Sequence, residues 1–198
     1  MEIPDKTAAI LMASGFSERF KGRNKLLLPF RGKPLAGYNL DLVSSMEFPG
    51  GIFFIAARDD VAALAANFPG VTVVKNNAPD RGLRESIRLG LEAAGPGAAY
   101  YLFFPCDMPF LNAGAIQDIL NARQRGCIVE PCYRGVPGNP CLFSSVFREE
   151  LLSLKEGETP RLIKERHPEA LIRVEVSDSL VLEDIDNEET LRRLENFS

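Results

Sequence analysis

Histidine is almost missing from this chain: His167 is the only one in 198 residues. It sits in a charged stretch, KERHPEA, just before a proline, where a helix end is expected. At most one imidazole base is on offer, which disfavours a Ser–His–Asp arrangement. Cysteine is sparse too, at Cys106, Cys127, Cys132 and Cys141, with no CxxC pair and no spacing that matches a common zinc module. Such thiols read as reduced core or near-surface groups. No apolar run approaches the length that spans a bilayer. The N-terminal MEIPDKTAAI carries two acids and lacks the apolar core of a signal peptide. With a net charge of −4 there is no global basic field for nucleic acid. These absences leave a cytoplasmic enzyme or binding protein as the expectation, with no nucleic-acid and no membrane partner. The commonest phosphate cradles are missing as well. Gly22 is followed by Arg-Asn-Lys rather than by the Gly-Lys of a P-loop, and Gly15-Phe16-Ser17-Glu18-Arg19-Phe20 keeps only the first glycine of GxGxxG.

What is present is an alternation of apolar runs and helical patterns. Ala8 to Met12 reads as a buried strand, and a helix follows from Pro34 with Leu35, Leu40, Leu42, Val43 and Met46 as its apolar positions. Ile52 to Ala57 is a second strand, Val61 to Phe68 a short helix, and the β-branched Val71 to Val74 a third strand. Leu83 to Ala94 is a helix with Leu83, Ile87 and Leu91 four apart, and Tyr100 to Phe104 is the fourth and most hydrophobic strand. A helix over Ala113 to Arg125 and a strand over Cys127 to Glu130 come next. YRGVPGNPCLFSSVF then looks like an excursion that leaves the sheet and re-enters it, followed by a helix capped at Ser144 or Ser145 and running to Leu154. Pro160 to Arg166 is another short helix, Leu171 to Val176 a last strand, and a final helix begins near Glu188. The pattern predicts an α/β fold: a three-layer, Rossmann-like, mostly parallel sheet with helices on both faces. Nothing in the chain resembles a linker, so residues 1–198 are expected to form one domain.

Two places carry chemistry. The stretch from Ala8 to Pro34 runs from a strand through the small residues Ala13, Ser14 and Gly15 into a loop with Arg19, Lys21, Arg23 and Lys25. That is the composition of a phosphate cradle, and equally of an ordinary strand–loop–helix unit with solvated cations. The second place is Asp107, just after the fourth strand. Ligands of open parallel sheets bind at the carboxyl ends of the strands, so Asp107 and the Ser14–Lys25 loop should share an edge. A carboxylate facing a cationic, phosphate-sized loop suggests Mg²⁺, held by few protein ligands plus substrate phosphates. Turn or helix capping is the bland alternative. Ser86, one turn into its helix, reads as a solvated or back-bonded serine.

Taken together, Leu11-Met12-Ala13-Ser14-Gly15-Phe16-Ser17-Glu18-Arg19, Asn24-Lys25-Leu26-Leu27 and Gly32-Lys33-Pro34-Leu35 resemble the LAAGxSxRxG…K-L…G-x-P-L signature of MobA-like nucleotidyltransferases. Gly82…Ser86-Ile87-Arg88…Gly90-Leu91, Cys106-Asp107-Met108-Pro109-Phe110-Leu111, Gly138-Asn139-Pro140 and Asp184-Ile185-Asp186 extend the resemblance in order along the chain. Glu158-Thr159-Pro160-Arg161 resembles, more loosely, an acceptor-side segment. Within the family the Asn-Lys-Leu-Leu run looks most like the molybdenum-cofactor cytidylyltransferases. Cys106 stands where the family usually has glycine, and Ser14 where it has a second alanine.

The resemblance implies a fold of the nucleotide-diphospho-sugar transferase type and Mg²⁺-dependent transfer of CMP from CTP to molybdopterin, with release of pyrophosphate. It assigns Arg19 and Lys25 to the phosphates and Asp107 to catalysis and metal, with Asp186 as a second metal ligand. Leu11, Ala13, Ser14, Gly15, Gly82 and Ser86 fall to the nucleotide, and Asn139, Pro140 and Arg161 to the acceptor. Lys21 and Arg23 read as surface charge. A molybdoenzyme is a possible recipient of the product. The alternatives are GTP in place of CTP, a sugar or alcohol phosphate as acceptor, and a non-catalytic protein that delivers a cofactor. Lys25 and Asp107 together argue against the last, since delivery needs no metal ligand.

Overall fold

The sheet is built outward from a buried inner strand, β1 (Thr7–Ala13). Ala9, Leu11 and Ala13 point into one apolar core, while Ala8 and Ile10 point into another. A strand buried on both faces needs apolar residues without polar alternation, which is what TAAILMA supplies. The computed structural model describes residues 6–15, 20 and 22–196.

After β1 come a small antiparallel ribbon, β2 (Pro29–Phe30) with β3 (Lys33–Pro34), and helix α1 (Leu35–Ser44). Then follow β4 (Ile52–Ala56), α2 (Asp59–Ala65), β5 (Val71–Lys75), α3 (Leu83–Ala94), β6 (Tyr100–Pro105) and α4 (Ala113–Asn121). The last part holds β7 (Ile128–Tyr133), β8 (Val136–Pro137), β9 (Cys141–Ser144), α5 (Arg148–Leu152), α6 (Arg161–Arg166), β10 (Leu171–Glu175) and α7 (Glu188–Glu195). The main sheet has the order β10-β7-β9-β6-β1-β4-β5, with β8 paired to β7. Pairings β5–β4, β4–β1, β1–β6 and β7–β10 are parallel; β9 alone runs against both of its neighbours, β6 and β7. Helices α1, α2 and α4 pack on one face, and α3, α5 and α6 on the other. The predicted three-layer architecture is the one observed.

Close packing explains one glycine of the sequence. At Gly90, on α3, a β-carbon would collide with the side chain of Ile10, so the helix lies on β1 only because that position is bare. A third, smaller core joins parts of the chain that are far apart in sequence. Phe20, Leu28, Phe30 and Leu35 pack with Ile185 and Leu194, which ties the segment after β1 to the C-terminal helix.

The sequence reading was least accurate after β7. The expected re-entry into the sheet occurs as β9, and Ser145–Phe147 forms a 3₁₀ turn before α5, which is only five residues long. Cys141 and Phe143 face one core and Leu142 the other, so CLFS lacks the alternation that marks a strand. α4 ends at Asn121 rather than Arg125. Arg123 leaves the helical path to donate to Thr7 Oγ1 at 2.7 Å and to lie over the Tyr100 ring.

Candidate active site

The carboxyl ends of β1 and β6 open into a cavity of about 400 Å³. Met12, Ser14 and Gly15 form its floor, Pro105 and Asn139 one side, and Pro79, Asp80, Gly82, Leu83 and Ser86 the other. Gly82 caps α3 at a φ of +73°, a conformation that suits glycine, and a β-carbon there would meet nothing within 4 Å. Gly82, Leu83 and Ser86 thus bring the start of α3 to the cavity wall. Gly15 is equally open. Ser14 spends its hydroxyl on structure, donating to the Ile55 carbonyl at 3.0 Å and joining the ends of β1 and β4. Of the two readings of Ser86, solvated or back-bonded, burial removes the first: the side chain is buried and accepts from Asn76 Nδ2 at 3.4 Å.

Beside this cavity stands a charged cluster. Lys25 Nζ donates to Asp107 Oδ2 at 2.5 Å and to Asp186 Oδ1 at 2.8 Å. Three pieces of local chemistry bring them together. Asn24 caps the 3₁₀ turn Lys25–Leu27 by accepting from Leu26 N at 2.9 Å, which holds Lys25 facing inward. Asp107 follows directly from the buried end of β6 through Pro105 and Cys106. Ile185 N donates to the Asp107 carbonyl at 3.0 Å and carries Asp186 into reach. Burial alone would depress the Lys25 pKa, but Asp107 and then Asp186 outweigh it and hold the pKa above the ordinary lysine value. Asp184 is pushed upward by desolvation and by the neighbouring Asp186 and Asp107. The Cys106 thiol is raised far above its usual range, mainly by burial, and stays protonated.

The fit of this cluster to a divalent cation rests on one atom. Asp107 Oδ1 is buried and has no hydrogen-bond partner among the described residues. A buried carboxylate oxygen left without a donor is costly, and a hard cation is a natural partner for it. No group of three or more His, Cys, Asp or Glu side chains suited to a metal occurs among the described residues. Two carboxylates without a third match a cation that completes its shell with substrate oxygens and water.

The other expected residues divide clearly. Leu11 and Ala13 are buried, with side chains in the core, so only their backbones face a ligand. Asn139 lines the cavity and Pro140 is buried behind it. Arg161 is turned away: its side chain is 81% exposed and pairs with Glu165 on its own helix. Arg23 is 60% exposed and pairs with Glu188, in keeping with surface charge. Arg19 and Lys21 lie outside the described residues. Sequence reasoning missed Asp80 on the cavity wall, and it missed Glu130 and Lys164 behind Asn139. Lys164 stands three positions after Arg161, a spacing that puts two helix residues on neighbouring positions of one face, yet it turns inward to Glu130 while Arg161 stays in solvent.

The sheet order, with its cavity at the strand ends, is that of nucleotidyltransferases of the nucleotide-diphospho-sugar transferase fold. Residues 9–171 match the MobA-like NTP transferase domain, and the chain belongs to that family. Among curated relatives it is 32% identical over 119 residues to a molybdenum cofactor guanylyltransferase of Cupriavidus metallidurans, a match spanning 60% of this chain and 55% of that protein. To the molybdenum cofactor guanylyltransferase of Ralstonia pickettii it is 27% identical over 198 residues, covering 93% of this chain and 94% of the other. Among solved structures, Rv0371c from Mycobacterium tuberculosis H37Rv superposes with a TM-score of 0.81 at 25% identity, covering 97% of this chain and 98% of that one. That mycobacterial protein has also been solved in complex with manganese, with a TM-score of 0.73 at 22% identity to this chain. No described helix is long and apolar enough to cross a membrane.

Proposed function

We propose that this protein transfers a nucleoside monophosphate, GMP from GTP, to the terminal phosphate of molybdopterin or its molybdenum-bearing form, releasing pyrophosphate. The observation that carries the reading is the Lys25–Asp107–Asp186 cluster beside a cavity walled by the start of α3. GTP takes precedence over the CTP expected from the sequence because the curated relatives named above are guanylyltransferases. Asp80 supports the same choice. A carboxylate only accepts hydrogen bonds, and guanine offers adjacent N–H donors at N1 and N2. CTP remains the second reading, favoured by the Asn24-Lys25-Leu26-Leu27 run.

In this reading the backbone of Leu11, Ala13, Ser14 and Gly15 meets the nucleotide, with Gly82 and Ser86 opposite. Two anions must approach each other, so the protein has to offset repulsion at the α-phosphate. Lys25 supplies a fixed positive charge there, and Arg19 a second one on the strength of the family resemblance. Asp107 and Asp186 would hold Mg²⁺, which when bound screens the phosphates and stabilises developing charge. The geometry of attack is in line, with pyrophosphate leaving toward the cationic side. The acceptor phosphate is already ionised at neutral pH, so no general base is needed, and His167 has no part. His167 instead contacts Glu150 at 2.9 Å, on the α5–α6 side. Asn139 and Pro140 form the acceptor side. Residues 1–198 act as one cytoplasmic nucleotidyltransferase domain, and its product passes to a molybdoenzyme.

The test is pyrophosphate release from each of the four NTPs, with Mg²⁺, with and without molybdopterin. GTP is expected to turn over only when the acceptor is present. Turnover with CTP alone reverses the base assignment, and silence with all four removes the enzymatic reading.

A further inference from the structure

Behind Asn139 lies a second, fully buried acid. Glu130, in the middle of β7, is 2% exposed, and both of its oxygens are occupied. Oε2 accepts from Lys164 Nζ at 2.6 Å and Oε1 from Arg173 Nε at 3.1 Å. Lys164 also donates to Cys141 Sγ at 3.7 Å, and that thiol lies 3.6 Å from Asn139 Oδ1 and 3.5 Å from the Gly138 carbonyl. A line of polar contacts thus runs from the interior of the sheet to the wall of the cavity.

The direction of each bond follows from what the groups can do. An ammonium only donates, so the sulfur must accept from Lys164 and turn its single hydrogen toward Gly138 and Asn139. Burial raises the Cys141 pKa to about 11, so the thiol keeps that hydrogen at neutral pH. Asn139 Oδ1, engaged by the thiol, leaves the amide NH₂ as the part free to face the cavity. Gly138 is held against Leu182, where a β-carbon would come within 2.9 Å of that side chain, and its N–H donates to Pro131 O at 2.8 Å. The backbone on which Asn139 sits is therefore fixed, and what remains to be set is its amide orientation.

Stability alone does not account for the arrangement, because replacing a buried ion pair by apolar residues of similar volume is often neutral or favourable. We propose that Lys164, fixed by Glu130, is a positioning residue for the acceptor: through the Cys141 thiol it orients the Asn139 amide so that its N–H groups donate to the acceptor's phosphate. This rests on the nucleotidyl-transfer reading above, and it assigns to Lys164 the acceptor-side role that sequence reasoning gave to Arg161.

The test is steady-state kinetics of Lys164→Met, Lys164→Arg, Cys141→Ala and the Lys164→Met/Cys141→Ala double variant, with molybdopterin and NTP varied separately. Lys164→Met should raise the acceptor KM by about tenfold, the scale of one lost hydrogen bond to a charged group. The NTP KM should stay within about twofold, well below that scale. Lys164→Arg should recover most of the loss. Cys141→Ala should copy Lys164→Met, and the double variant should be no worse than either, as for members of one chain of contacts. An unchanged acceptor KM, or equal rises in both KM values, overturns the proposal. NMR of the Asn139 side-chain amide gives a readout that needs no turnover. If wild type releases no pyrophosphate, the nucleotidyl-transfer reading fails, and an Asn139 resonance unmoved by Lys164→Met separately ends the positioning role.

Discussion

Two inward-facing lysines, one in each half of the sheet, make an instructive pair. Lys25 and Lys164 have similar side-chain exposures, 16% and 19%, and each bonds an acid placed by the central sheet, Asp107 just after β6 and Glu130 within β7. The acids differ. Glu130 has both oxygens bonded and is closed off in the sheet, whereas Asp107 keeps one buried oxygen without a partner among the described residues, beside a cavity. A saturated ion cluster can brace its surroundings, but it has nothing left to offer a ligand. An unsaturated one holds back a bond that only an incoming cation or donor can make. Burial and charge pairing alone do not tell a strut from a site; an unmet valence beside open space does.

The comparison can be broken most severely at Asp107. Asp107→Asn should lower kcat by about 10²–10³-fold, the usual scale for losing one preorganised electrostatic contact. The melting temperature should hardly move, because Lys25 keeps Asp186. A large loss of stability with normal turnover would exchange the roles assigned to the two clusters. Glu130 should behave in the opposite way. Glu130→Leu leaves Lys164 without its carboxylate in a mostly buried setting, at a cost of about 3 kcal/mol, or about 6–12 °C in Tm for a chain of this size. Adding Lys164→Met should restore most of that stability by removing the stranded charge. Calorimetry of the single and double variants decides it, and a double variant no more stable than Glu130→Leu would show that the pair is not a self-contained strut.

The same contrast governs what could be read from the sequence. The strands around β1 were legible because each is an apolar run bounded by turn residues, and their carboxyl ends put Asp107 on the same edge as the Ser14–Lys25 loop. Asn24 was visible as part of a motif, but its role as cap emerged only from the turn it closes. Glu130 was hidden inside a strand, where a single acid looks like an outward-facing residue, and Lys164 was lost among the charges of KERHPEA. Their meaning depends on β9 entering antiparallel between β6 and β7, a pairing across distant segments that no local pattern announces. Asp186 was legible only through family resemblance. It is brought to Lys25 by one backbone hydrogen bond from Ile185 and by the third core, neither of which leaves a periodic trace.

A smaller effect is expected at the cap itself. Asn24→Ala removes the acceptor for Leu26 N and should cost about 1 kcal/mol of stability. The Lys25–Asp107 contact should loosen with it, so kcat should fall while the NTP KM changes little. An unaltered kcat would mean that the two carboxylates, rather than the turn, hold Lys25 in place.

The smallest effect should come from Arg161, and for that reason it separates the two readings of the acceptor half most sharply. Its guanidinium bonds Glu165 in an exposed i,i+4 pair, a kind of interaction worth only about 0.3–0.5 kcal/mol. Arg161→Ala should therefore leave Tm nearly unchanged and the acceptor KM within about twofold of wild type, as for a surface substitution away from any site. Lys164, on the same short helix, faces Glu130 and Cys141 instead. If Arg161→Ala raises the acceptor KM as much as Lys164→Met does, the whole face of α6 meets the acceptor, and Lys164 would then act as one of several cations rather than through Asn139.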